Sequence, residues 1–183
     1  MIRILTWIAL AALACLVVVL ATQNRSLREA NGNLEQKLAL MSSGPDVGAI
    51  AAPMRLTTTS GNAIEIGGPG SGPTVLYFFS TKCPYCRASL PQVHRIADSG
   101  ARLVGIALRP FDEVDAYAER QQLSFAISSD KDGKVAKAYE ANVTPLLLVI
   151  DKSGAVAFKH VGQIDDLTAS TALHEAGLGA KLP

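Results

Sequence analysis

Two cysteines separated by two residues are the side chains of this chain best suited to chemistry. They occupy a CPYC motif at 83–86, between an apolar run at 74–79 and a helical pattern at 84–98. Unpaired N–H groups at a helix N-terminus stabilise a thiolate, which is the reactive form of cysteine. Three residues on, Cys86 lies on the same helical face and can attack a mixed disulfide formed by Cys83. The spacing therefore predicts Cys83 as the nucleophile and Cys86 as the resolving thiol.

A cysteine pair also suits other chemistry. Half of a zinc site is one alternative, but the chain has no second CxxC and no HxxxH, so we expect no metal ion and no organic cofactor. A thiol peroxidase would need threonine three residues before the peroxidatic cysteine, where Ser80 stands. A non-catalytic redox sensor or copper carrier would use both thiols, although the distal histidine of copper-carrying relatives is missing. Turnover in a disulfide-reduction assay separates these alternatives from an oxidoreductase.

Several neighbours of the cysteines support the redox interpretation. Pro84 and Tyr85 lie between them, and Pro84 suits the first helical position, where a missing N–H costs nothing. Pro91 falls inside the predicted helix, where an interior proline costs about 3 kcal/mol and kinks the chain, so it needs a reason. Lys82 precedes the first cysteine and favours its thiolate, although a solvated surface charge would do little.

Composition bounds the class of protein. The 183 residues are 49% hydrophobic and 18% charged, which excludes a disordered or collagen-like chain. A net charge of +1 and 5% aromatic residues give no case for nucleic-acid binding. Three cysteines are too few for a disulfide-stapled scaffold.

The N-terminus carries an uncharged apolar run at 4–21, long enough as a helix to approach the thickness of a membrane. A signal peptide cleaved after Ala21 is the alternative, but the run is longer than the usual apolar region of about 7–15 residues. We therefore predict a transmembrane signal anchor at 1–22.

The stretch at 23–53 is predicted to be a stalk and linker. Its apolar residues Leu27, Leu34 and Met41 are spaced by seven, which fits either an amphipathic stalk or a short, weakly dimerising helix. Glycine, proline and serine without periodicity make 42–53 an uncommitted linker. The folded domain is predicted at 54–183.

Within this domain, strand and helix patterns alternate, which predicts an α/β domain with a partly parallel sheet covered on both faces. The predicted strands comprise a hairpin at 54–66, single strands at 74–79, 102–108 and 125–129, and a hairpin at 146–161. The predicted helices span 84–98, 112–122, 131–140 and 166–176.

These residues resemble the thioredoxin fold. A strand, a CxxC motif and a helix are followed by a proline five residues after the second cysteine, then by Thr144-Pro145 opening a hairpin that ends in Gly162. The segment at 128–162 closely resembles the membrane-anchored TlpA/ResA-type thiol-disulfide oxidoreductases, which also carry an opening hairpin and an insert, here 109–124. The resemblance covers about 56–175.

The resemblance implies a cis Thr144-Pro145 bond beside the cysteines, with the Thr144 backbone pairing with substrate. An ordinary trans proline opening a strand is the alternative. It also implies protein thiol or disulfide substrates, an upstream thiol donor, and a catalytic domain on the extracytoplasmic (periplasmic) side of the inner membrane. A reductase in cytochrome c maturation is the commonest role among similar proteins. An accessory oxidoreductase resembling MauD of methylamine dehydrogenase maturation is the second option.

The sequence departs from the family at informative positions. Lys82 replaces the usual tryptophan, and Tyr77 stands where thioredoxins carry a buried aspartate, which leaves the proton relay open. Asp112 and Glu113 in the insert are either relay residues or helix-capping residues.

The CPYC tetrapeptide is typical of glutaredoxins, in which an acidic pair holds glutathione. The pair at 165–166 either matches that pair or provides the N-cap of the last helix.

Overall fold

The chain was analysed as a computed structural model that describes residues 7, 15–28, 32, 42–111 and 113–178. The chain divides into two compact units, 1–39 and 40–183. In the first unit, residues 15–28 are helical with exposed side chains. Most of the predicted anchor at 4–21, and the positions of Leu34 and Met41, lie outside the described residues. Among the residues described, no helix is long and apolar enough to cross a membrane.

The second unit is built on a mixed sheet. The strands are β1 Met54–Thr57, β2 Ala63–Ile66, β3 Thr74–Phe79, β4 Leu103–Ala107, β5 Ala126–Ser129, β6 Leu146–Ile150 and β7 Val156–Val161. Five of them form the sheet, in the order β5-β4-β3-β6-β7. β3 and β4 are parallel, as are β4 and β5, whereas β6 pairs antiparallel with both β3 and β7. A separate antiparallel pair, β1 and β2, precedes the sheet. The helices are α1 Pro84–Ala88, α2 Leu90–Asp98, α3 Val114–Arg120, α4 Lys134–Ala138 and α5 Asp166–Glu175. The α/β prediction and the thioredoxin-like architecture are confirmed.

The central strand β3 is buried on both faces, and its alternation divides the core in two. Tyr77 and Phe79 point to one face, where they pack with Cys86 and with residues of α2, α3 and α5. Leu76 and Phe78 point to the other face, toward α4 and the β1–β2 hairpin. Because successive side chains of a strand point to opposite faces, one apolar run fills both layers. The cysteine pair therefore packs with the first of these two layers, the one that contains Tyr77 and Phe79.

The helix predicted at 84–98 is two helices in the structure. α1 ends at Ala88 and α2 begins at Leu90, with Ser89 completely buried between them. The Ser89 hydroxyl donates to the carbonyl of Tyr85 at 2.8 Å and accepts from the N–H of Ile164 at 2.9 Å. Pro91 falls in the first turn of α2, where it displaces no helical hydrogen bond. The proline is thus accommodated by a helix break rather than by a kink inside one helix.

The segment at 42–53 differs from the uncommitted linker expected. Its backbone N–H groups at Gly48 and Ala51 donate to the carbonyls of Val156 and Gly154, at 2.8 and 2.9 Å. A bridge between Ile50 and Ala155 extends this pairing. Backbone hydrogen bonds hold this segment against β7, and such bonds do not depend on side-chain type. The glycine- and serine-rich sequence therefore shows no periodicity that would predict the contact. The segment therefore forms part of the folded unit.

Candidate active site

Cys83 lies at the N-cap of α1, one residue before the proline that begins the helix. Its sulfur accepts a hydrogen bond from the N–H of Cys86 at 3.1 Å and lies 3.5 Å from the carbonyl oxygen of Thr144. The side chain is partly exposed, and neither thiol of the pair is in a disulfide. An N–H group aimed at the sulfur favours its anionic form. Cys83 is therefore accessible and polarised as a nucleophile must be.

Cys86 is completely buried one turn further along α1, against Tyr77. Burial raises the pKa of its thiol to about 12, and the hydrogen bond and negative charge of Cys83 act in the same direction. The hydroxyl of Tyr77 donates to the backbone carbonyl of Cys86 at 3.2 Å. Burial also raises the pKa of Tyr77 well above its usual value, so its hydroxyl stays protonated. In the reduced protein Cys86 is a neutral thiol.

The contrast between the two thiols predicts selective alkylation. With iodoacetamide at pH 8, we expect Cys83 to be modified while Cys86 remains free, because the thiolate reacts and Cys86 is both buried and protonated. Modification of Cys86 should rise only in more alkaline solution, because burial raises the pKa of its thiol. Peptide mapping by mass spectrometry reads both sites in one sample. Equal modification of the two cysteines at pH 8 would contradict this assignment.

A groove of about 600 Å³ opens beside Cys83. Thr144 lies on one wall of the groove, and the Thr144–Pro145 bond is cis, as the resemblance implied. Leu108, Phe111 and Val143 give the groove an apolar lining, with Lys82 and Arg109 at its charged positions. The Arg109 guanidinium stands over the Phe111 ring at 5.8 Å. Such a groove suits an extended polypeptide laid against the Thr144 backbone.

The sequence did not single out Arg109 or Phe111, because no motif marks them. They reach the groove through the turn that follows β4. Asp130, also at the groove, is buried, and its carboxylate accepts from the N–H groups of Val135 and Ala136 at 3.0 and 2.7 Å. An aspartate shortly before a helix was the available signal for this cap.

The other predicted residues surround the pair. Lys82, Pro84 and Tyr85 are exposed, and Tyr85 presents 61% of its surface. No ion pair involves Lys82 among the described side chains, so it acts as a solvated charge. Pro91 lies on the exposed side of α2, away from the sulfurs' hydrogen bonds.

The acidic residues weighed for a proton relay have other partners where they are described. Glu113 occupies the N-cap position of α3 without a capping hydrogen bond and lies 3.6 Å from Arg120. Asp112 lies outside the described residues.

The acidic pair at 165–166 stands at the start of the last helix. Asp165 caps α5 by accepting from the N–H of Thr168 at 2.8 Å, and Asp166 pairs with Arg95 at 3.0 Å. The capping interpretation of the 165–166 pair is therefore confirmed for Asp165. Within the described ranges, no cluster of three His, Cys, Asp or Glu side chains could hold a metal ion.

Comparison with known proteins agrees with this geometry. Residues 47–159 match the AhpC/TSA family, and the chain belongs to that family. It is 35% identical over 82 residues to a thioredoxin-like protein of Haemophilus influenzae, a match that spans about half of that relative's length (49%) and 44% of this chain. It is 25% identical over 163 residues to the methylamine utilization protein MauD of Paracoccus versutus, covering 86% of this chain and 79% of that one.

Among solved structures, a thio-disulfide isomerase from Thermus thermophilus is similar, with a TM-score of 0.60 and 25% identity. The match covers 73% of this chain and 98% of that one. A further relative, 25% identical over 122 residues, is the sporulation thiol-disulfide oxidoreductase A of Bacillus subtilis, and its name supports a protein-disulfide oxidoreductase activity.

Proposed function

We propose that this protein is a membrane-tethered, extracytoplasmic thiol-disulfide oxidoreductase of the TlpA/ResA type that reduces disulfides in protein substrates through its CPYC dithiol. The observation that carries the proposal is the placement of a partly exposed Cys83 sulfur 3.5 Å from the Thr144 carbonyl, with Cys86 buried one turn along the helix. A nucleophile, a resolving thiol and a substrate groove thus meet at one end of α1.

In the proposed reaction, the thiolate of Cys83 attacks one sulfur of a substrate disulfide, forms a mixed disulfide with it and releases the other sulfur as a thiolate. Cys86 gives its proton to that thiolate and attacks Cys83 in the mixed disulfide. The second substrate sulfur leaves as a thiolate that takes up a proton from solvent, and the enzyme holds a Cys83–Cys86 disulfide. The substrate thus gains two electrons and two protons, one proton from Cys86 and one from solvent. An upstream thiol donor returns the two electrons and the Cys86 proton to the enzyme. Thr144 and Pro145 form the wall against which the substrate chain lies.

The second step needs a base for Cys86, whose pKa of about 12 keeps it protonated at neutral pH. Tyr77 cannot supply it, because its own pKa is raised well above 10. The leaving substrate thiolate is the base available at that moment, since it is generated beside the sulfurs. Tyr77 then serves to hold the Cys86 backbone through its hydrogen bond.

The proposed location rests on the uncharged run at 4–21, interpreted as an inner-membrane anchor with the catalytic domain outside the cytoplasm. Alkaline phosphatase fused after Pro183 should be active in a bacterial host, and the fusion should stay with the membrane fraction. An active cytoplasmic reporter at the same position would contradict the proposed location.

The match to MauD over 86% of the chain favours a second candidate, an accessory oxidoreductase in the maturation of another enzyme. The dithiol chemistry would be the same, and the substrate would be a single partner rather than a general class. Rapid reduction of an unrelated protein such as insulin argues for the reductase. Activity on no general substrate, together with an intact redox couple, argues for the accessory role.

The test of the proposed function is turnover of insulin with dithiothreitol as the donor, followed as turbidity of the released B chain. We expect catalysis by the wild type and only the uncatalysed background with Cys83→Ser. Hydrogen peroxide consumption, measured in parallel, separates the peroxidase alternative, for which catalysed peroxide loss without insulin reduction would be the signature. Failure to catalyse either reaction would contradict the general reductase and leave the accessory oxidoreductase and the redox sensor as alternatives.

A further inference from the structure

The strap, defined here as residues 43–52, crosses the fold next to the chain that leads into Thr144. Ser43 is completely buried, although it belongs to a stretch of small and polar residues. Its hydroxyl donates to the carbonyl of Glu140 at 3.3 Å and accepts from the N–H groups of Asn142 and Val143 at 3.2 and 3.4 Å. One side chain therefore contacts three successive parts of the loop that ends at the substrate groove.

Two further bonds hold the strap at the same place. The N–H of Gly44 donates to the Glu140 carbonyl at 2.9 Å, and the Lys159 ammonium on β7 donates to the Gly44 carbonyl at 3.0 Å. Gly44 has φ of +81°, and a Cβ there would lie 2.9 Å from Cδ of Lys159. The strap is thus packed between the loop and β7, and a side chain at Gly44 would displace the Lys159 side chain.

The loop at 140–144 depends on contacts from other segments to keep its backbone conformation. Glu140 has φ of +49°, a left-handed conformation that is strained for a non-glycine residue. Such a conformation persists only when the surroundings impose it. The Glu140 carbonyl accepts from the N–H of Asn142 within the loop and from the Ser43 hydroxyl and the Gly44 N–H of the strap, so the strap supplies two of the three hydrogen bonds that stabilise the turn before 142–144.

We infer that Ser43 is a positioning residue for substrate binding, because it fixes the loop at 140–144 in the conformation that presents the Thr144 backbone to the substrate. This inference rests on the proposed function for its catalytic readout. Ser43 does not touch Cys83, which meets the loop only at the Thr144 carbonyl, so substrate binding should respond to Ser43 more than the chemistry of the nucleophile does. The effect should appear in KM for a protein disulfide.

The test compares the full-length wild type with Ser43→Ala and with Ser128→Ala as a matched control. Ser128 is also a buried serine, and its hydroxyl donates to the Thr57 carbonyl at 2.9 Å, in the β1–β2 hairpin. Ser43→Ala should raise KM for insulin several-fold, up to about tenfold, with kcat within about twofold, because one network of weak hydrogen bonds is lost. The alkylation rate of Cys83 should change less than KM does, because the sulfur meets this loop only at the Thr144 carbonyl. Ser43→Thr, which keeps the hydroxyl, should restore KM.

A second readout does not depend on activity. The N–H of Val143 has Ser43 as its hydrogen-bond acceptor, so its hydrogen exchange should quicken about tenfold or more in Ser43→Ala and stay unchanged in Ser128→Ala. Unchanged exchange at Val143, or unchanged KM despite faster exchange, would overturn the inference. If Ser43→Ala does not fold, an unprotected Val143 amide in the wild type would overturn it equally. A wild type without insulin activity would refute the proposed function, while the exchange data would still decide whether Ser43 holds the loop.

Discussion

The Cys86→Ser variant should accumulate a covalent adduct with its substrate. After Cys83 attacks a substrate disulfide, the mixed disulfide is normally resolved by the second thiol, and serine cannot make that attack. Incubation of the reduced variant with insulin should give a mass increase of one insulin molecule at Cys83, because the two insulin chains stay joined by a remaining interchain disulfide, and dithiothreitol should reverse it. Turnover should fall to the background. Non-reducing electrophoresis and mass spectrometry measure both.

The matched control for this experiment is Cys83→Ser, which should form no adduct and should also lose all turnover. Both variants are best made with Cys15→Ser, because Cys15 is exposed in the N-terminal unit and can form unrelated disulfides. An adduct at Cys86 in the Cys83→Ser variant, with none at Cys83 in Cys86→Ser, would invert the assignment of roles.

The largest expected loss of stability comes from Gly67→Ala. Gly67 has φ of +66°, and a Cβ there would collide with the Ala52 carbonyl and the Tyr139 hydroxyl, which are themselves joined by a hydrogen bond of 2.7 Å. Both partners are fixed, because Ala52 is backbone in the strap and Tyr139 is fully buried. We expect the free energy of unfolding to fall by more than about 4 kcal/mol, combining backbone strain with a steric overlap that cannot relax cheaply.

Gly61→Ala provides the comparison, since Gly61 also has a positive φ of +85° but nothing lies within 4 Å of the position its Cβ would take. In Gly61→Ala the free energy of unfolding should fall only by the backbone strain, about 1–2 kcal/mol. Urea unfolding of both variants therefore separates strain from collision. Equal losses in the two variants would show that the strap does not pack against Tyr139 as described.

The sequence was sufficient where local pattern and chemistry agree. The run at 74–79 is apolar because both faces of β3 are covered, and that burial predicted a central strand. The CPYC motif predicted a helix N-cap at Cys83, since proline fits the first helical position. The alternative that Asp165 caps the last helix proved correct, because an aspartate side chain before a helix reaches its third residue.

The sequence was insufficient where contacts between distant residues decide the structure. Ser43 and Gly67 look like linker and turn residues, yet they contact Asn142 and come close to Tyr139 across the fold. Nothing in their neighbourhoods along the chain signals this. The sequence also did not predict the helix break at Ser89, because the Ser89 hydroxyl accepts a hydrogen bond from the N–H of Ile164, 75 residues away. Arg109 and Phe111 were also missed as groove residues, because only the fold, and no sequence motif, brings them beside Cys83.

The reduction potential of the Cys83–Cys86 couple tests the proposed reductase most directly. Burial raises the pKa of the Cys86 thiol to about 12, so Cys86 is protonated in the reduced form at neutral pH. A reductase of protein disulfides requires a reducing couple. Equilibration with defined ratios of reduced and oxidised dithiothreitol, read by alkylation and mass spectrometry, should give a reversible two-electron couple near the thioredoxin value of about −270 mV. A potential near about −120 mV would make the enzyme an oxidant, and failure to form a Cys83–Cys86 disulfide at any ratio would contradict the dithiol mechanism itself.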